Sequence, residues 1–229
     1  MSHGEAVNPT SLLYWWPRVQ SLPDVVCPRT VIVEVPKPDD AVVVLQLCIA
    51  EEHAPEPRHD AERPGCVTQL DRMKHALVAS GAAIGYPLFL RTDMVSGKHE
   101  WLDTCYVPSA DVLLQHVAAL AEEHELAMWM VRDAPLRAFV FRELIPTAAP
   151  FTAFHGFPVT RERRYFVEDG KALCAHAYWS DEQNIEDGLV GRDAPAQWRE
   201  MLRDLNRQDF EVPLLTMLAE RVSKVLPGA

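Results

Sequence analysis

No run of apolar residues in the sequence approaches the roughly 18 needed to cross a bilayer. The first residues, Met1-Ser2-His3-Gly4-Glu5, carry neither a basic stretch nor an apolar core. Neither a membrane span nor a secretory leader is expected, and the chain is read as cytosolic. Cysteine is scarce and unpatterned: Cys27, Cys48, Cys66, Cys105 and Cys174 are odd in number, widely spaced and never Cys-x-x-Cys. That excludes a disulfide framework or a zinc knuckle. Positive charge is also short. With 22 Lys and Arg against 33 Asp and Glu, the formal net charge is -11. No basic run is present, so a surface that coats a nucleic-acid backbone is excluded. A single nucleotide in a local basic pocket is compatible with this balance. The Walker A spacing and the Gly-x-Ser-x-Gly elbow are both missing, which argues against a P-loop and a Ser-His-Asp hydrolase.

What is present suits a folded chain. Hydrophobic residues make up 48% and charged residues 24% of 229 residues. That is enough for one large domain or two small lobes sharing a cleft. Leu12 to Trp16 form an apolar cluster, read as a short helix or turn packing on the body, with a partner-binding patch as the alternative. Thr30 to Val35 is a β-branched run and reads as a strand. Residues 37 to 40 read as a turn, Ala41 to Ala50 as a buried strand or helix, and 51 to 66 as a loop. Leu70, Met73, Ala76 and Leu77 recur at helical steps, predicting a helix from Val67 to about Gly81. Pro87 to Leu90 reads as a short strand and Val112 to about Glu123 as a helix. Leu126 to Val131 and Arg137 to Ile145 read as strands. Glu168-Asp169-Gly170 lies between two β-rich runs and predicts a hairpin. Ser180 to Arg192 reads as loop, and Pro195 to Asn206 and Val212 to Val225 as helices. The expected class is α+β, without the regular alternation of a doubly wound sheet.

Three segments carry possible chemistry. In the first, Arg91 ends a short strand and is followed by Ser96-Gly97-Lys98. Cations and backbone N–H groups converging on one point suit phosphate oxygens. Taken alone, it is also an ordinary polar loop. In the second, Phe139 to Pro146, a strand ends in Glu143-Leu144-Ile145. Such an end can offer backbone groups to an adenine edge, or it can be a core strand with Arg142 and Glu143 facing water. In the third, Arg161, Arg163 and Arg164 sit within four residues. Strand alternation pairs Arg161 with Arg163 and Glu162 with Arg164. One pair can face a phosphate or carboxylate, or the charges can guard a strand edge. His99, His155 and His176 lie beside these segments, with surface or core-edge roles as the plainer reading. Tyr178 and Trp179 can line a pocket or simply pack. Cys105 has no evident activating partner and reads as structural.

In series, "PLFLRTDMVSGKHEW", "FVFRELIP" and "FHGFPVTRERRYFVEDGKALCAHAYW" resemble the ATP-grasp family from about Val67 to Trp179. The branch concerned is bacterial and phage-borne. It is similar to the eukaryotic cell-division-cycle ATP-grasp proteins that assist assembly of a translation initiation factor. The resemblance implies two α/β lobes with a nucleotide cleft between them. The expected division is 1–86 as an N-terminal lobe, 87–135 as a phosphate-loop lobe, and 136–229 as an adenine-hinge and C-terminal lobe. It implies Arg91, Ser96, Gly97 and Lys98 at the phosphates, and Glu143, Leu144 and Ile145 at adenine. Lys98 and Arg164 would act in catalysis. Arg164 corresponds to the Arg of a Glu-aromatic-Arg pattern in which Arg163 here replaces the aromatic residue.

The family also binds Mg²⁺ through late carboxylate strands. Those strands would follow the helix ending near Val225, where this chain reads Pro227-Gly228-Ala229. A C-terminally incomplete ATP-grasp fold is therefore expected, with metal ligands unidentified; Glu182, Glu186 and Asp187 are available but unmarked by spacing. The implied activity is an ATP-dependent carboxylate–amine ligase with an acylphosphate intermediate and small carboxylate and amine substrates. The alternative is an ATP-binding assembly factor with a protein partner and no ligase activity. A nucleotide-fold remnant with a structural role is the third reading.

Overall fold

The computed structural model describes residues 8–35, 64–130, 134–189, 194–207 and 212–226. The chain divides into two compact units: residues 1–13 with 28–145, and residues 14–27 with 146–229. The first helix, α1 (Leu12–Gln20), is shared between them. The residues expected to form a turn at 37–40 and an apolar element at 41–50 lie outside the described residues.

The first unit is built on four strands: β1 (Thr30–Glu34), β2 (Leu88–Thr92), β3 (Tyr106–Val107) and β4 (Ala138–Glu143). They are antiparallel and ordered β1-β4-β2-β3. Alternation along each strand separates two faces. Val31, Val33, Leu88, Leu90, Val107, Phe139 and Phe141 point into one core. Two helices cover that face, α2 (Pro64–Ile84) and α3 (Leu113–Met130). From α2 come Met73, Leu77 and Ile84, and from α3 come Leu113, Val117, Leu120 and Ala121. The opposite face carries Thr30 and Ile32 from β1, Val140 and Arg142 from β4, Phe89 and Arg91 from β2, and Tyr106 from β3, as the register requires.

A buried carboxylate holds the end of β2. Asp93 accepts the Ser11 hydroxyl at 2.7 Å and the backbone N–H groups of Arg137 and Ala138 at 3.1 and 3.3 Å. Its own carbonyl accepts the Leu12 N–H at 2.8 Å. Both Ser11 and Asp93 are sealed from water. One side chain thereby joins the residues before α1, the end of β2 and the start of β4.

The second unit contains two small antiparallel pairs, β5 (Phe151–Ala153) with β6 (Phe157–Val159), and β7 (Arg163–Glu168) with β8 (Lys171–Ala177). Three helices accompany them: α4 (Glu182–Gly188), α5 (Trp198–Asn206) and α6 (Val212–Ser223). Trp179 stacks on Phe154 at 5.9 Å and tilts against Phe157 at 5.6 Å, and Trp198 meets Phe151 at 6.3 Å. Gly188 is required by this packing, because a Cβ there would lie 2.5 Å from the Phe154 ring.

The predicted hairpin is present. Asp169 and Gly170, at φ 48° and 76°, make the left-handed turn that an Asp-Gly pair favours. Three expectations are corrected. Residues 126 to 130 continue α3 and do not form a strand. Leu, Ala and Met are strong helix formers, and the helix is already nucleated, so extending it is easier than starting a strand. Ser180 to Arg192 is not all loop, because Asp181 accepts the N–H groups of Gln183 and Asn184 and caps α4. The helix α2 begins at Pro64, inside the expected loop, as proline suits a first helical position.

Replacing Asp93 with Ala would leave a hydroxyl and two backbone N–H groups without their acceptor. We expect a loss of about 3 kcal/mol in urea unfolding. A loss within experimental error would show that these contacts are dispensable.

Candidate functional site

The end of β2 carries Arg91, the first residue of the first predicted cluster. Arg91 is half-buried on the face away from the helices, and its Nε donates to the Thr92 carbonyl at 2.9 Å. Burial pulls its pKa down, and the Asp93 charge opposes that shift. The sequence reading missed a second cation on this face. Arg142 pairs with Phe89 and Arg91 pairs with Val140, so the two arginines are diagonal neighbours on adjacent strands. Such positions lie roughly 7–8 Å apart at the Cβ. The FVFRE alternation allows either face for Arg142, and only the β2–β4 register places it beside Arg91. Aromatic rings flank them: Trp101 stacks on Tyr106 at 5.4 Å and lies 6.0 Å from Phe89.

The 93–98 loop is folded onto α3. The Thr92 hydroxyl accepts the N–H groups of Met94 and Val95 at 3.2 and 2.7 Å. It lies 2.8 Å from Nδ1 of His124, whose Nε2 is 2.9 Å from the Ala134 carbonyl. A carbonyl can only accept, so Nε2 carries the proton and Nδ1 accepts from Thr92. In the neutral imidazole both ring nitrogens of His124 then have their partners. Burial lowers its pKa most, against raising contributions from the Ala134 hydrogen bond and the charges of Asp93 and Glu125.

Gly97 is buried, with φ 61°, and its carbonyl accepts the Thr104 hydroxyl at 2.6 Å. A Cβ here would lie 2.8 Å from Glu123 Oε2, Leu120 Cδ1 and Thr104 Oγ1. Only glycine fits this backbone and this space. Ser96 is half-buried, and Lys98 opens a 3-10 turn over Lys98–Glu100. The loop's donors at Met94 and Val95 are thus turned inward in this conformation. Cys105 is sealed beneath the turn, its Sγ 3.6 Å from the Gly97 carbonyl, and burial pushes its thiol up to about 12. That supports a structural thiol.

Glu143, Leu144 and Ile145 follow β4. Glu143 pairs with Leu88, three ladder positions from the Arg91–Val140 pair, or roughly 10 Å along the strand. Its N–H donates to the Arg29 carbonyl at 2.9 Å and its carboxylate accepts Arg29 Nε at 3.0 Å. Ile145 is exposed.

The third predicted segment belongs to the second unit. Arg161 and Arg163 reach the last turn of α5, where Arg163 donates to the carbonyls of Leu205 (3.2 Å) and Arg207, and Arg161 reaches Asp204 O at 3.5 Å. Cations suit a helix C-terminus, so these two charges act as its cap. Glu162 accepts from Trp179 Nε1 at 3.1 Å and Thr160 at 3.4 Å, and no hydrogen bond joins it to Arg164. Arg164 stands on the outer face of the hairpin, its guanidinium 4.6 Å from the Tyr178 ring centroid. Phe166, Cys174 and His176 share that exposed face, and Leu173 beside the bulge is exposed as well.

Among the described residues, no three His, Cys, Asp or Glu side chains converge as metal ligands. Glu182 and Glu186 both face Arg199, at 3.9 and 2.6 Å, and Asp187 accepts from Gln183 at 2.9 Å. These carboxylates do not form a cation site.

Two outcomes follow from the loop. Gly97→Ala should cost about 1–3 kcal/mol, measured by urea unfolding, through overpacking and left-handed strain. The His124 pKa is lowered on folding, so its contribution is complete above the ordinary His value of 6.5 and lost as pH falls below it. The melting temperature should therefore drop from about pH 7.5 to 5.5. His124→Gln should shrink that drop, and an unchanged drop would place the effect elsewhere.

No curated protein matches this chain. Among solved structures, a C-terminally truncated Cdc123 from Schizosaccharomyces pombe aligns at a TM-score of 0.49 and 12% identity, covering 95% of this chain and 74% of that one. An ATP-grasp domain model, family 3 of its clade, matches residues 72–217, which is more than half of the chain. That span takes in the β2–loop segment with Arg91 and Lys98, the β4 segment and the β7–β8 hairpin. The α+β fold is ATP-grasp-like, and the chain belongs to the ATP-grasp family.

Proposed function

We propose that this ATP-grasp protein binds ATP against the face of the first unit's sheet that carries Arg91 and Arg142. The observation that supports this reading most is the pairing of two arginines on one strand face, next to a loop bearing Lys98. Guanidinium groups suit phosphate oxygens because they offer several donors in a fixed plane. Arg91 and Arg142 would hold the polyphosphate, and Lys98 would add charge once the loop moves. Leu144 and Ile145 would lie against the adenine, with Glu143 fixed by Arg29.

The chemistry we propose is carboxylate–amine ligation. A substrate carboxylate oxygen attacks the γ-phosphorus, and the bond to the β-phosphate oxygen breaks with release of ADP. An amine then attacks the acylphosphate carbon, loses a proton, and phosphate departs. Cations aimed at the transferred group lower the barrier by offsetting charge as it shifts toward the leaving ADP. Arg164, exposed on the hairpin and supported by Tyr178, would hold the substrate carboxylate or a phosphate. Magnesium would add positive charge at the phosphates in such a reaction, and its ligands are not identified among the described residues.

The second reading is an ATP-binding assembly factor that contacts a protein partner and carries out no ligation. The resemblance of the three motifs in series to the assembly-factor branch of the family favours it.

Calorimetric titration with ATP tests the common part. Wild-type chain should bind, and Arg91→Ala and Arg142→Ala should each weaken binding by about tenfold or more, the loss of one charge-assisted contact. Lys98→Ala should weaken it less. No heat and no competition by any nucleotide would overturn both readings. Release of ADP dependent on a carboxylate and an amine would favour the ligase over the assembly factor.

A further inference from the structure

Residues 120–124 of α3 meet the 93–98 loop at both of its ends. His124 holds its start through Thr92, and Leu120 and Glu123 hold its end at Gly97. Glu123 is unusual among these supports. Its Oε2 is buried against Gly97 and has no hydrogen-bond partner among the described residues. An ionised oxygen in that position is desolvated without a compensating donor. Its surroundings add to the difficulty. Glu100 faces it from the 3-10 turn. Lys98, on the same turn, and Glu123 both act on the buried Cys105 thiol, with opposite sign. Glu122 and His124 are its neighbours on α3, and burial disfavours the charged form of His124.

We propose that Glu123 is a positioning residue for the loop and for Lys98: its neutral carboxyl packs under Gly97 and keeps the loop down, and its ionisation releases it. The role of the released loop rests on the nucleotide reading above, but the latch itself does not. Burial, followed by the Glu100 charge, raises the Glu123 pKa when the loop is down. The hold is then strongest below the ordinary Glu range. It is lost as pH rises through the raised value, because the released state binds the proton less tightly. On this account Gly97 and Glu123 are paired, one giving up its side chain so that the other can occupy the space.

Cys105 reports on the latch without any nucleotide. Its Sγ lies under the Gly97 carbonyl and is inaccessible while the loop is down. The rate of iodoacetamide alkylation at Cys105, read by peptide mass spectrometry, is compared between wild type and Glu123→Gln from about pH 4, near the ordinary Glu value, to about pH 9. The rise in thiolate with pH is largely shared, and the Glu123 charge, which raises the Cys105 pKa in wild type alone, works against growth of the ratio. The wild-type to variant ratio should be near one at low pH and grow severalfold as Glu123 ionises. Glu100→Gln, a change at an exposed position, lowers the Glu123 pKa and should start that growth at lower pH. A ratio that stays flat, or that ignores Glu100→Gln, overturns the latch. Saturating ATP, added as a separate arm, should alter the alkylation rate. If ATP changes nothing while the pH-dependent ratio grows, the nucleotide reading fails and the latch stands.

Discussion

The carboxylate of Asp93 sits where three pieces of chain meet: the residues leading into α1, the end of β2 and the start of β4. Because it is sealed from water, each of its lone pairs must be met by protein, and the donors come from residues 11, 137 and 138. That requirement fixes the end of β2 relative to β4. The β2–β4 register then decides which side chains stand beside Arg91. If the ladder slipped by one residue, Arg142 would move to the helix-covered face and the pair would be lost.

Directly beyond Asp93 the chain uses neutral contacts. Thr92 gathers the first N–H groups of the loop, His124 supports Thr92, and the Gly97 carbonyl receives Thr104. The Met94 and Val95 donors and the Gly97 carbonyl are thus satisfied in this arrangement. A phosphate would compete with Thr92 for the Met94 and Val95 donors, so engagement of a ligand by this backbone is coupled to unfolding of a local turn. Free energy for that exchange would come from charge–charge contacts at Arg91, Arg142 and Lys98, which exceed those of neutral hydrogen bonds.

Much of the fold was legible because local signals and tertiary demands agree. The β-branched run of β1, the three- and four-residue apolar spacing of α2, and the Asp-Gly turn between β7 and β8 each specify their element unaided. The failures have a common cause. Residues 126 to 130 contain few β-branched side chains and a helix already running into them, so the neighbour decided the outcome. The polar stretch before α4 hid a short helix whose one marker was the Asp181 cap. At the candidate site the sequence named side chains, and the fold alone gave their directions. Arg91 and Arg142 needed the register, Gly97 needed the volume taken by Glu123 and Leu120, and Arg161 and Arg163 needed the nearby end of α5. Three arginines in four residues read equally as a ligand patch or a guarded strand edge, and two of them meet the end of a helix.

The hairpin of β7 and β8 presents one face outward, with Phe166 48% and Leu173 65% exposed. Two strands bury little by themselves, and the Ala172 N–H of β8 donates to Glu220 of α6 at 3.1 Å. The colloidal behaviour of this chain is therefore governed by two opposing features. A net charge of -11 keeps copies apart at low ionic strength. Added salt screens that repulsion and leaves the apolar hairpin face unopposed. At this face the balance between charge repulsion and apolar contact is set by the placement of two side chains and a turn.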